Sequence, residues 1–321
     1  MTIKLGVVMD PIGRIKPHKD TTLAMLLAVQ RRGWELHYME LGDIGLRDGH
    51  PHAYTRQLKV RDSVEDWYEF TGAKDRRPLA GLDVILMRKD PPFDTEYIYA
   101  TYILEQAQAR GCLVVNDPKA LRDANEKLFT AWFAELCPST LVTRDPTEIR
   151  RFGQEFGDII VKPLDGMGGT SIFRVTAGDV NASVIYETLT RQGTGFCMAQ
   201  RYIPEIAAGD KRILMIDGKP VPYALARIPS AGELRGNLAA GGRGHGQPLS
   251  DRDREICAIV GPELRRRGLI FVGLDVIGDY LTEINVTSPT CLRELEAQFD
   301  IPIADQLMEC IATRLERNGA K

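Results

Sequence analysis

The stretch GLIFVGLDVIGDYLTEINVTSPT, residues 268–290, carries carboxylates and an amide inside two strand-like apolar runs. A three-residue connection at 278–280 predicts a β-hairpin in which Asp275 lies opposite Glu283. Asn285 lies two residues beyond Glu283 and shares its face, because side chains alternate along a strand. We therefore expect three oxygen-bearing side chains on one patch of sheet.

This patch has the chemistry of a binding site for a hard cation. Oxygen ligands suit Mg²⁺, with Mn²⁺ as a second choice, and such an ion completes its shell with water and nucleotide phosphates. The same hairpin register places Ile277 opposite Leu281. An edge hairpin with solvated polar residues explains the stretch equally well when it is taken alone.

The composition is that of a globular protein without a strong net charge. The 321 residues are 44% hydrophobic and 26% charged, and 41 basic against 44 acidic residues leave a charge of −3. No general attraction to nucleic acid or to an anionic membrane is expected. The longest run without Asp, Glu, Lys or Arg is 21–30, too short for the roughly 18 apolar residues of a membrane span. With no signal peptide pattern at its start, the chain is predicted to be cytoplasmic.

The cysteines are predicted to be reduced and mostly buried. They form no Cys-x-x-Cys pair, have no His at zinc-ligand spacing, and are too sparse for a disulfide framework. One of them follows a polar turn and is a weak candidate for a nucleophile, since no His lies nearby in sequence. The six are Cys112, Cys137, Cys197, Cys257, Cys291 and Cys310.

Three units are predicted along the chain. Alternating β-rich and helical runs in residues 1–122 predict an open α/β domain with a parallel sheet. A capping Asp20 begins one of its helices, which is predicted to end at Gly33. No Gly-x-Gly-x-x-Gly follows the first strand, which disfavours a dinucleotide site. The other units are expected at 123–203 and 204–321.

Three segments carry more specific structural expectations. Residues 45–77 are polar and are predicted to form a surface excursion with a hairpin and a short helix around 64–70. An amphipathic helix is predicted at 125–134. The stretch 229–248 is the one long segment for which we predict no secondary structure.

A glycine-rich turn is a candidate phosphate site. Gly166, Gly168 and Gly169 allow the backbone to direct several N–H groups at one point, and Lys162 lies on the strand that enters the turn. Because the turn joins two strands and no Gly-Lys-Ser/Thr follows, it is not of the Walker type. A plain hairpin and a solvent-facing lysine are the alternative.

Further candidates follow the predicted strand that ends at Gln200, whose exit could pair with an adenine edge. Asp210 is a candidate acceptor for ribose hydroxyls. Arg212 and Arg227 are either phosphate contacts or structural ion pairs, and the sequence leaves both open. Arg88 follows the carboxyl end of a predicted strand, where ligands bind in such sheets, and is either a carboxylate clamp or a surface arginine.

Residues 228–246 are predicted to form a mobile lid. Loops this long without secondary structure are uncommon unless they are functional or disordered. Arg235 and Asn237 are candidates to reach a transferring phosphate when the lid closes. A passive linker is the alternative.

Taken in order, these pieces resemble the bacterial glutathione synthetases of the ATP-grasp superfamily over nearly the full length. The segments that carry the resemblance are MRKDPPFD at 87–94, KPLDGMGG at 162–169, RGNLAAGGRG at 235–244 and TEINVTSPTC at 282–291. The lid segment and the stretch around Ser288 make the resemblance specific to the bacterial glutathione synthetases, whereas the other segments indicate only the ATP-grasp superfamily. The resemblance implies an ATP-grasp fold and ATP-dependent joining of γ-glutamylcysteine to glycine through an acyl phosphate. It also implies a homotetramer.

The resemblance also implies roles for individual residues, with ATP as co-substrate and Mg²⁺ as the metal. Metal binding falls to Asp275, Glu283 and Asn285. Nucleotide binding falls to Lys127, Lys162, Gly166, Met167, Gly168, Gly169, Gln200, Tyr202, Ile203 and Asp210. Catalysis falls to Arg212, Arg227, Arg235 and Asn237, and substrate binding to Arg88, Ser288, Thr290 and Arg293. A different ATP-grasp ligase and a nucleotide-binding regulator without turnover are the competing interpretations.

Overall fold

The N-terminal part of the chain forms a sheet with a parallel centre; the computed structural model describes residues 2–230, 236 and 242–319. Its strands are β1 Lys4–Met9, β2 Glu35–Met39, β3 Ile44–Arg47, β4 His50–Val60, β5 Tyr68–Phe70, β6 Asp75–Pro78, β7 Val84–Arg88 and β8 Leu113–Val115. The strands β2-β1-β7-β8 pair in parallel and are largely buried, as expected when helices cover both faces. The parallel centre of the predicted sheet is confirmed.

Capping side chains start the helices of this part, α1 Thr21–Arg31, α2 Thr95–Gln108 and α3 Pro118–Asp123. The carboxylate of Asp20 accepts a hydrogen bond from Leu23 N at 2.6 Å, and Asp94 does the same for α2. Such caps satisfy backbone donors that the helix itself leaves unpaired. The predicted start of α1 is confirmed.

The polar excursion contains strands where we predicted a short helix. The long strand β4 pairs antiparallel with β2, β3, β5 and β6, which makes the sheet mixed. Tyr68 and Phe70 lie on β5, and the ring of Phe70 packs 5.3 Å from that of Tyr38. The helix predicted around 64–70 is therefore wrong, because aromatic packing against the main sheet favours an extended backbone here.

A second sheet, antiparallel, follows. Its strands are β9 Thr140–Thr143, β10 Asp158–Pro163, β11 Phe173–Thr176 and β12 Cys197–Arg201, in the order β11-β10-β12-β9. Helices α4 Pro146–Phe156 and α5 Ala182–Leu189 pack on it through a small core that includes Ile149 and Tyr186. The glycine-rich turn joins β10 to β11, as predicted.

The segment before this sheet is helical but not the predicted α-helix. Residues Leu128–Leu136 form a 3₁₀ helix with a kink at Phe133. Asn125 accepts hydrogen bonds from the backbone N–H groups of Lys127 and Leu128. The rings of Phe129 and Phe133 are both buried and lie 5.8 Å apart. The turn at Asn125 and the packing of the two rings explain why this segment does not form the α-helix that its 3.6-residue apolar period predicted.

A third sheet completes the fold. Its strands are β13 Asp210–Ile216, β14 Lys219–Ile228, β15 Arg243–Pro248, β16 Phe271–Ile277 and β17 Tyr280–Asn285, antiparallel in the order β15-β14-β13-β16-β17. Helices α6 Asp251–Arg266, α7 Leu292–Phe299 and α8 Ile303–Gly319 follow. Our prediction that 229–248 has no secondary structure is wrong for residues 243–248, which form β15. This strand forms because its backbone pairs with β14, and such pairing does not require apolar side chains.

The hairpin of β16 and β17 has a different register from the one we predicted. Ile277 pairs with Tyr280 and not with Leu281, so the loop has two residues, and Gly278 adopts a positive φ of 57°. A register shift after this pair leaves Thr282 as the extra residue and restores the pairing of Asp275 with Glu283. The predicted loop length is wrong, and a bulge nevertheless brings the two carboxylates to opposed positions.

One buried amide ties the first sheet to this hairpin. Asn116, which follows β8, donates from Nδ2 to Phe271 O at 2.8 Å and to Val286 O at 2.7 Å. Its Oδ1 accepts from Phe271 N at 2.9 Å. The amide therefore satisfies backbone groups at both ends of the hairpin and sets the position of the first sheet against it.

The cysteines agree with the expectation from composition. All six cysteines are free, and Cys112, Cys197, Cys257 and Cys291 are buried. Across residues 2–230, 236 and 242–319, no helix is long and apolar enough to pass through a membrane.

Substitution of Gly261 tests a close backbone contact between α6 and the turn that joins β13 to β14. A Cβ at Gly261 would lie 2.2 Å from Gly218 O. Alanine usually stabilises a helix by about 1 kcal/mol over glycine, but this overlap should reverse the sign. We expect Gly261→Ala to lower the free energy of unfolding by about 1–3 kcal/mol in urea titration.

The matched control is Gly42→Ala, because a Cβ at Gly42 meets no atom within 4 Å and its φ is not positive. We expect its stability to stay within about 1 kcal/mol of the wild type. Equal stability of Gly261→Ala and the wild type would contradict the described contact.

Candidate active site

A cavity of about 620 Å³ opens where the three sheets meet. Segments from every sheet line it: the loop after β1, the glycine-rich turn, the start of β13, and the end of β17 with the residues that follow. The volume is that of a site for a small organic ligand or two. Most of the predicted site residues lie on its walls.

A buried ion network forms the floor of the cavity. Arg212 on β13 lies opposite Asp275 on β16, and its Nε and Nη2 donate to Oδ1 at 2.5 Å and Oδ2 at 2.8 Å. Arg227 Nη2 lies 2.9 Å from Asp275 Oδ2 and also pairs with Asp210. Burial alone would raise the pKa of Asp275, but the two guanidinium groups hold that pKa below its ordinary value. The structure therefore places Arg212 and Arg227 in ion pairs at the site.

Asp210 has one oxygen that the network does not use. Its Oδ1 is buried and has no hydrogen-bond partner among the described residues. Burial raises the pKa of Asp210 to about 6, against the opposing charge of Arg227. An unpaired buried oxygen of this kind is costly, and a ligand hydroxyl in the cavity would satisfy it.

Two buried lysines flank Glu283. Lys127 Nζ donates to Glu126 Oε1 at 2.5 Å and to Gly166 O at 2.6 Å, and it lies 3.7 Å from Glu283 Oε1. Lys162 Nζ lies 3.7 Å from the same oxygen, and burial lowers its pKa. Burial would also lower the pKa of Lys127, but the nearby carboxylates raise it overall. Two ammonium groups at one carboxylate suit a ligand with several negative oxygens.

The glycine-rich turn needs its glycines. Gly168 and Gly169 have φ values of 63° and 79°, which side-chain-bearing residues rarely adopt. A Cβ at Gly166 would lie 2.9 Å from Pro163. Met167 at the tip is exposed and lines the cavity. The backbone of the turn is therefore accessible to a ligand, as the phosphate hypothesis requires.

The exit of β12 offers an apolar surface beside these charges. Gln200 is buried and donates from Nε2 to Thr140 Oγ1 at 3.0 Å, so its side chain holds β12 to β9. Tyr202 and Ile203 line the cavity as predicted. They are joined by apolar side chains that no sequence pattern indicated, which are Ile160, Ile172, Ile206 and Ile277. This surface suits an aromatic base.

The predicted metal ligands lie together on the hairpin. Asp275 pairs with Glu283 across the strands, and Asn285 follows on the same strand. Asn285 contacts Gly273 O through its Nδ2, at 3.4 Å, which leaves its Oδ1 available. No group of three His, Cys, Asp or Glu side chains fit for a metal occurs in the described part of the chain. Two carboxylates and an amide fit an ion that takes its other ligands from water and phosphate.

Substrate candidates lie on the opposite wall. Arg88 is buried, and it donates from Nε to Thr22 Oγ1 at 3.1 Å and from Nη2 to Pro289 O at 3.0 Å. Ser288 Oγ donates to Arg88 O at 3.3 Å. Ser288 and Thr290 line the cavity with it. Arg88 therefore connects this wall to the first sheet, because it lies at the end of β7 and hydrogen-bonds to Pro289 and Ser288.

Three predicted residues are not placed in the cavity. Arg293 is absent from the described lining and pairs with Asp62 at 2.7 Å. Arg235 and Asn237 lie outside the described residues, and the lid prediction with them. Cys291 lines the cavity, but its thiol is fully buried and burial raises its pKa, which opposes the nucleophile interpretation.

The sequence reasoning missed a whole wall of the cavity. It is formed by the loop after β1, whose charged residues are Asp10, Arg14, Lys16, Lys19 and Asp20. Glu126, which pairs with Lys127, and Glu294 on α7 also line the cavity. The position of this loop in the sequence was a signal for ligand binding, since the loop follows the carboxyl end of a parallel strand, where ligands bind in open α/β sheets.

Comparison with known proteins identifies the family. The model of the prokaryotic glutathione synthetase N-terminal domain matches residues 3–122, and that of the prokaryotic glutathione synthetase ATP-grasp domain matches residues 126–300. The chain is 62% identical over 315 residues to glutathione synthetase of Escherichia coli (strain K12), covering 98% of this chain and 99% of the relative. It is 64% identical over 314 residues to that of Yersinia pestis, covering 98% of each.

Solved structures support the fold. D-cycloserine synthetase superposes with a TM-score of 0.69 at 15% identity, over 97% of this chain and 99% of that one. A RimK-domain ATP-grasp protein from Sphaerobacter thermophilus superposes with a TM-score of 0.61 at 15% identity, over 96% and 98%. Because the family models and close relatives span almost the whole chain, it belongs to the prokaryotic glutathione synthetase family and is an ATP-dependent ligase with the ATP-grasp fold.

Proposed function

We propose that the cavity joins γ-glutamylcysteine to glycine while ATP is converted to ADP and phosphate, with three units dividing the work. Residues 1–122 hold the peptide substrate, residues 123–203 cover the nucleotide, and residues 204–321 supply the ionic floor and the metal site. The observation that carries the proposal is Glu283 between two buried lysines, beside a carboxylate held by two arginines. That arrangement suits a polyphosphate and a divalent ion together.

The nucleotide lies, in this proposal, between the apolar surface and the lysines. The adenine contacts Ile203 and its apolar neighbours, and the ribose hydroxyls satisfy the unpaired oxygen of Asp210. Lys127 and Lys162 hold phosphate oxygens, and the backbone of the glycine-rich turn covers them. The contact of Lys127 with Gly166 O keeps the turn beside the lysines.

The metal, Mg²⁺ or Mn²⁺, is assigned to Glu283, Asn285 and Asp275. A divalent ion at this position supplies neutralisation of the phosphate charge. Since Arg212 and Arg227 already engage both oxygens of Asp275, this carboxylate has a second role: it orients two guanidinium groups toward the cavity.

The reaction needs positioning and charge stabilisation more than a protein nucleophile. The cysteinyl carboxylate of the dipeptide attacks the γ-phosphate of ATP and forms an acyl phosphate, and ADP leaves. The amine of glycine then attacks the acyl carbon, and phosphate leaves. Arg212, Arg227 and the lysines stabilise the developing negative charge, while Arg88 holds the peptide.

Two further properties remain predictions. The family resemblance implies a homotetramer, and the composition favours a cytoplasmic location. Size-exclusion chromatography with light scattering measures the first directly.

A substrate panel tests the function itself. We expect ATP-dependent phosphate release only when γ-glutamylcysteine and glycine are both present, because the acyl phosphate needs the peptide carboxylate and its productive breakdown needs the amine. Phosphate release is measured with each substrate alone, with both, and with other amino acid pairs. Equal turnover with D-alanine pairs would favour another ATP-grasp ligase, and nucleotide binding without any turnover would favour a regulator.

Glu283→Gln tests the metal assignment. The change keeps the side-chain volume, removes a carboxylate oxygen, and leaves Lys127 and Lys162 without their shared counter-charge. We expect kcat for ADP formation to fall by about 100-fold or more. The dependence of the rate on magnesium concentration should also shift to higher concentrations.

The control for this variant is Glu135→Gln, an exposed acidic residue outside the cavity lining. Its kcat and magnesium dependence should match the wild type. Melting curves establish that both variants fold. A wild-type rate for Glu283→Gln at equal magnesium would refute the assignment.

Arg88→Lys tests the peptide wall. Lysine keeps the charge but cannot make the two directed hydrogen bonds to Thr22 and Pro289 at once. We expect KM for γ-glutamylcysteine to rise about 10-fold while KM for ATP stays within about 2-fold. Arg47→Lys, at an exposed arginine on β3, is the control. A selective rise in KM for ATP would contradict this assignment, because it would place Arg88 at the nucleotide and not at the peptide.

A further inference from the structure

Glu126 lines the cavity, and none of the roles assigned above uses it. The residue lies between α3 and the 3₁₀ helix that begins at Leu128. Its backbone O accepts a hydrogen bond from Ile284 N at 2.8 Å, which attaches it to β17 between two residues of the proposed metal site. Its side chain is only 18% exposed. Glu126 is therefore a carboxylate held in a fixed place beside the proposed phosphate site.

The carboxylate of Glu126 takes up one of the three N–H donors of Lys127. Lys127 Nζ donates to Glu126 Oε1 at 2.5 Å and to Gly166 O at 2.6 Å. Glu283 Oε1, at 3.7 Å, is too far away for a hydrogen bond. Since an ammonium group has three donors, two such contacts fix the direction of the third. This third donor belongs to a group that lines the cavity.

Lys162 is held differently. Its Nζ lies 3.7 Å from Glu283 Oε1 and makes no hydrogen bond with any residue that the structure describes. Both ammonium groups thus lie near the same carboxylate, but only Lys127 is anchored by hydrogen bonds. A lysine carries a point charge on a flexible stem, so its orientation depends on contacts of this kind. The contact with Glu126 is therefore a means to orient one lysine of the pair.

We propose that Glu126 is a positioning residue, which orients the ammonium group of Lys127 toward the phosphates of the nucleotide. Its carboxylate and the carbonyl of Gly166 hold two donors, and the third N–H is directed at a phosphate oxygen. This inference rests on the proposed function. It assigns to Glu126 a role that it performs through Lys127, without touching a substrate or the metal.

The charge of Glu126 predicts which kinetic constant shows this role. By its charge alone, a carboxylate in this place repels the phosphates of ATP and weakens their binding. An ammonium group that is already in place, by contrast, need not reorganise while the phosphoryl group is transferred. We therefore expect the contribution of Glu126 in kcat and not in KM for ATP.

The test compares Glu126→Gln with Glu126→Met. The two side chains are similar in size and uncharged, so both remove the repulsion of ATP, but only glutamine offers an oxygen acceptor to Lys127. We expect kcat for ADP formation to be about 10-fold or more lower in Glu126→Met than in Glu126→Gln. KM for ATP should differ between the two by less than about 3-fold. ADP formation is measured with saturating γ-glutamylcysteine and glycine.

The difference between the two variants should require Lys127. In a Lys127→Met background, the variants at Glu126 should have the same rate within about 2-fold, because no ammonium group remains to be oriented. In a Lys162→Met background the difference should persist, because Lys162 makes no hydrogen bond to Glu126. Single-turnover measurements at high enzyme concentration keep slow variants measurable. A difference that persists without Lys127 would overturn the proposal.

The dependence of the rate on magnesium concentration separates this role from direct binding of the metal. Loss of a metal ligand shifts the dependence to higher concentrations, as expected for Glu283→Gln. We expect Glu126→Gln and Glu126→Met to keep the wild-type dependence. A shift in both variants would make Glu126 a metal ligand and would refute the positioning role.

Matched controls are Glu135→Gln and Glu135→Met, at an exposed residue outside the cavity lining, and their kcat values should be equal. Melting curves establish that each variant folds. If Glu126→Met fails to fold, Glu126→Ala takes its place, because water from the cavity can fill the space that the shorter side chain leaves. Failure of the wild type to use γ-glutamylcysteine and glycine would refute the proposed function. Wild-type turnover with equal kcat in Glu126→Gln and Glu126→Met would refute the positioning role alone.

Discussion

The site is organised around one buried carboxylate, Asp275, held between two guanidinium groups. Arg212 comes from the neighbouring strand and Arg227 from the strand beyond it, so the network ties three strands of the last sheet together. Removing one member of such a network leaves an unpaired buried charge, which is strongly destabilising. The same network holds both guanidinium groups at the floor of the cavity. In the proposed reaction, the ion pairs that tie the last sheet together also stabilise the developing negative charge.

A second constraint keeps the two halves of the active site in register. Asn116 follows the first sheet and satisfies backbone groups of Phe271 and Val286, at the two ends of the metal hairpin. Arg88 makes a similar link from the same sheet to Pro289. Both connections are buried hydrogen bonds, so they fix the position of the first sheet against the hairpin of β16 and β17 and the residues that follow it.

Several elements of the site could be predicted because their signal is local. The glycine-rich turn follows from residues that tolerate positive φ, and alternation along β17 places Glu283 and Asn285 on one face. Other features could not be predicted. The bulge at Thr282 changes the loop length of the hairpin, and the aromatic packing of Phe129 replaces an α-helix with a 3₁₀ helix. The bulge depends on the register that the hairpin adopts, and the 3₁₀ helix depends on how the rings of Phe129 and Phe133 are buried.

By itself, the sequence determined the parallel centre of the first sheet, the glycine-rich turn, and the opposed carboxylates of the hairpin, because periodicity and residue chemistry act over a few neighbouring positions. Only the tertiary structure decided which charges are paired. It placed Arg212 and Arg227 in ion pairs, Arg293 in a pair with Asp62 outside the described cavity lining, and Glu294 with one buried oxygen, Oε2, that has no hydrogen-bond partner among the described residues. Whether a charge is satisfied depends on groups that lie 17 to 231 positions away in these pairs, and on burial that no local pattern reports.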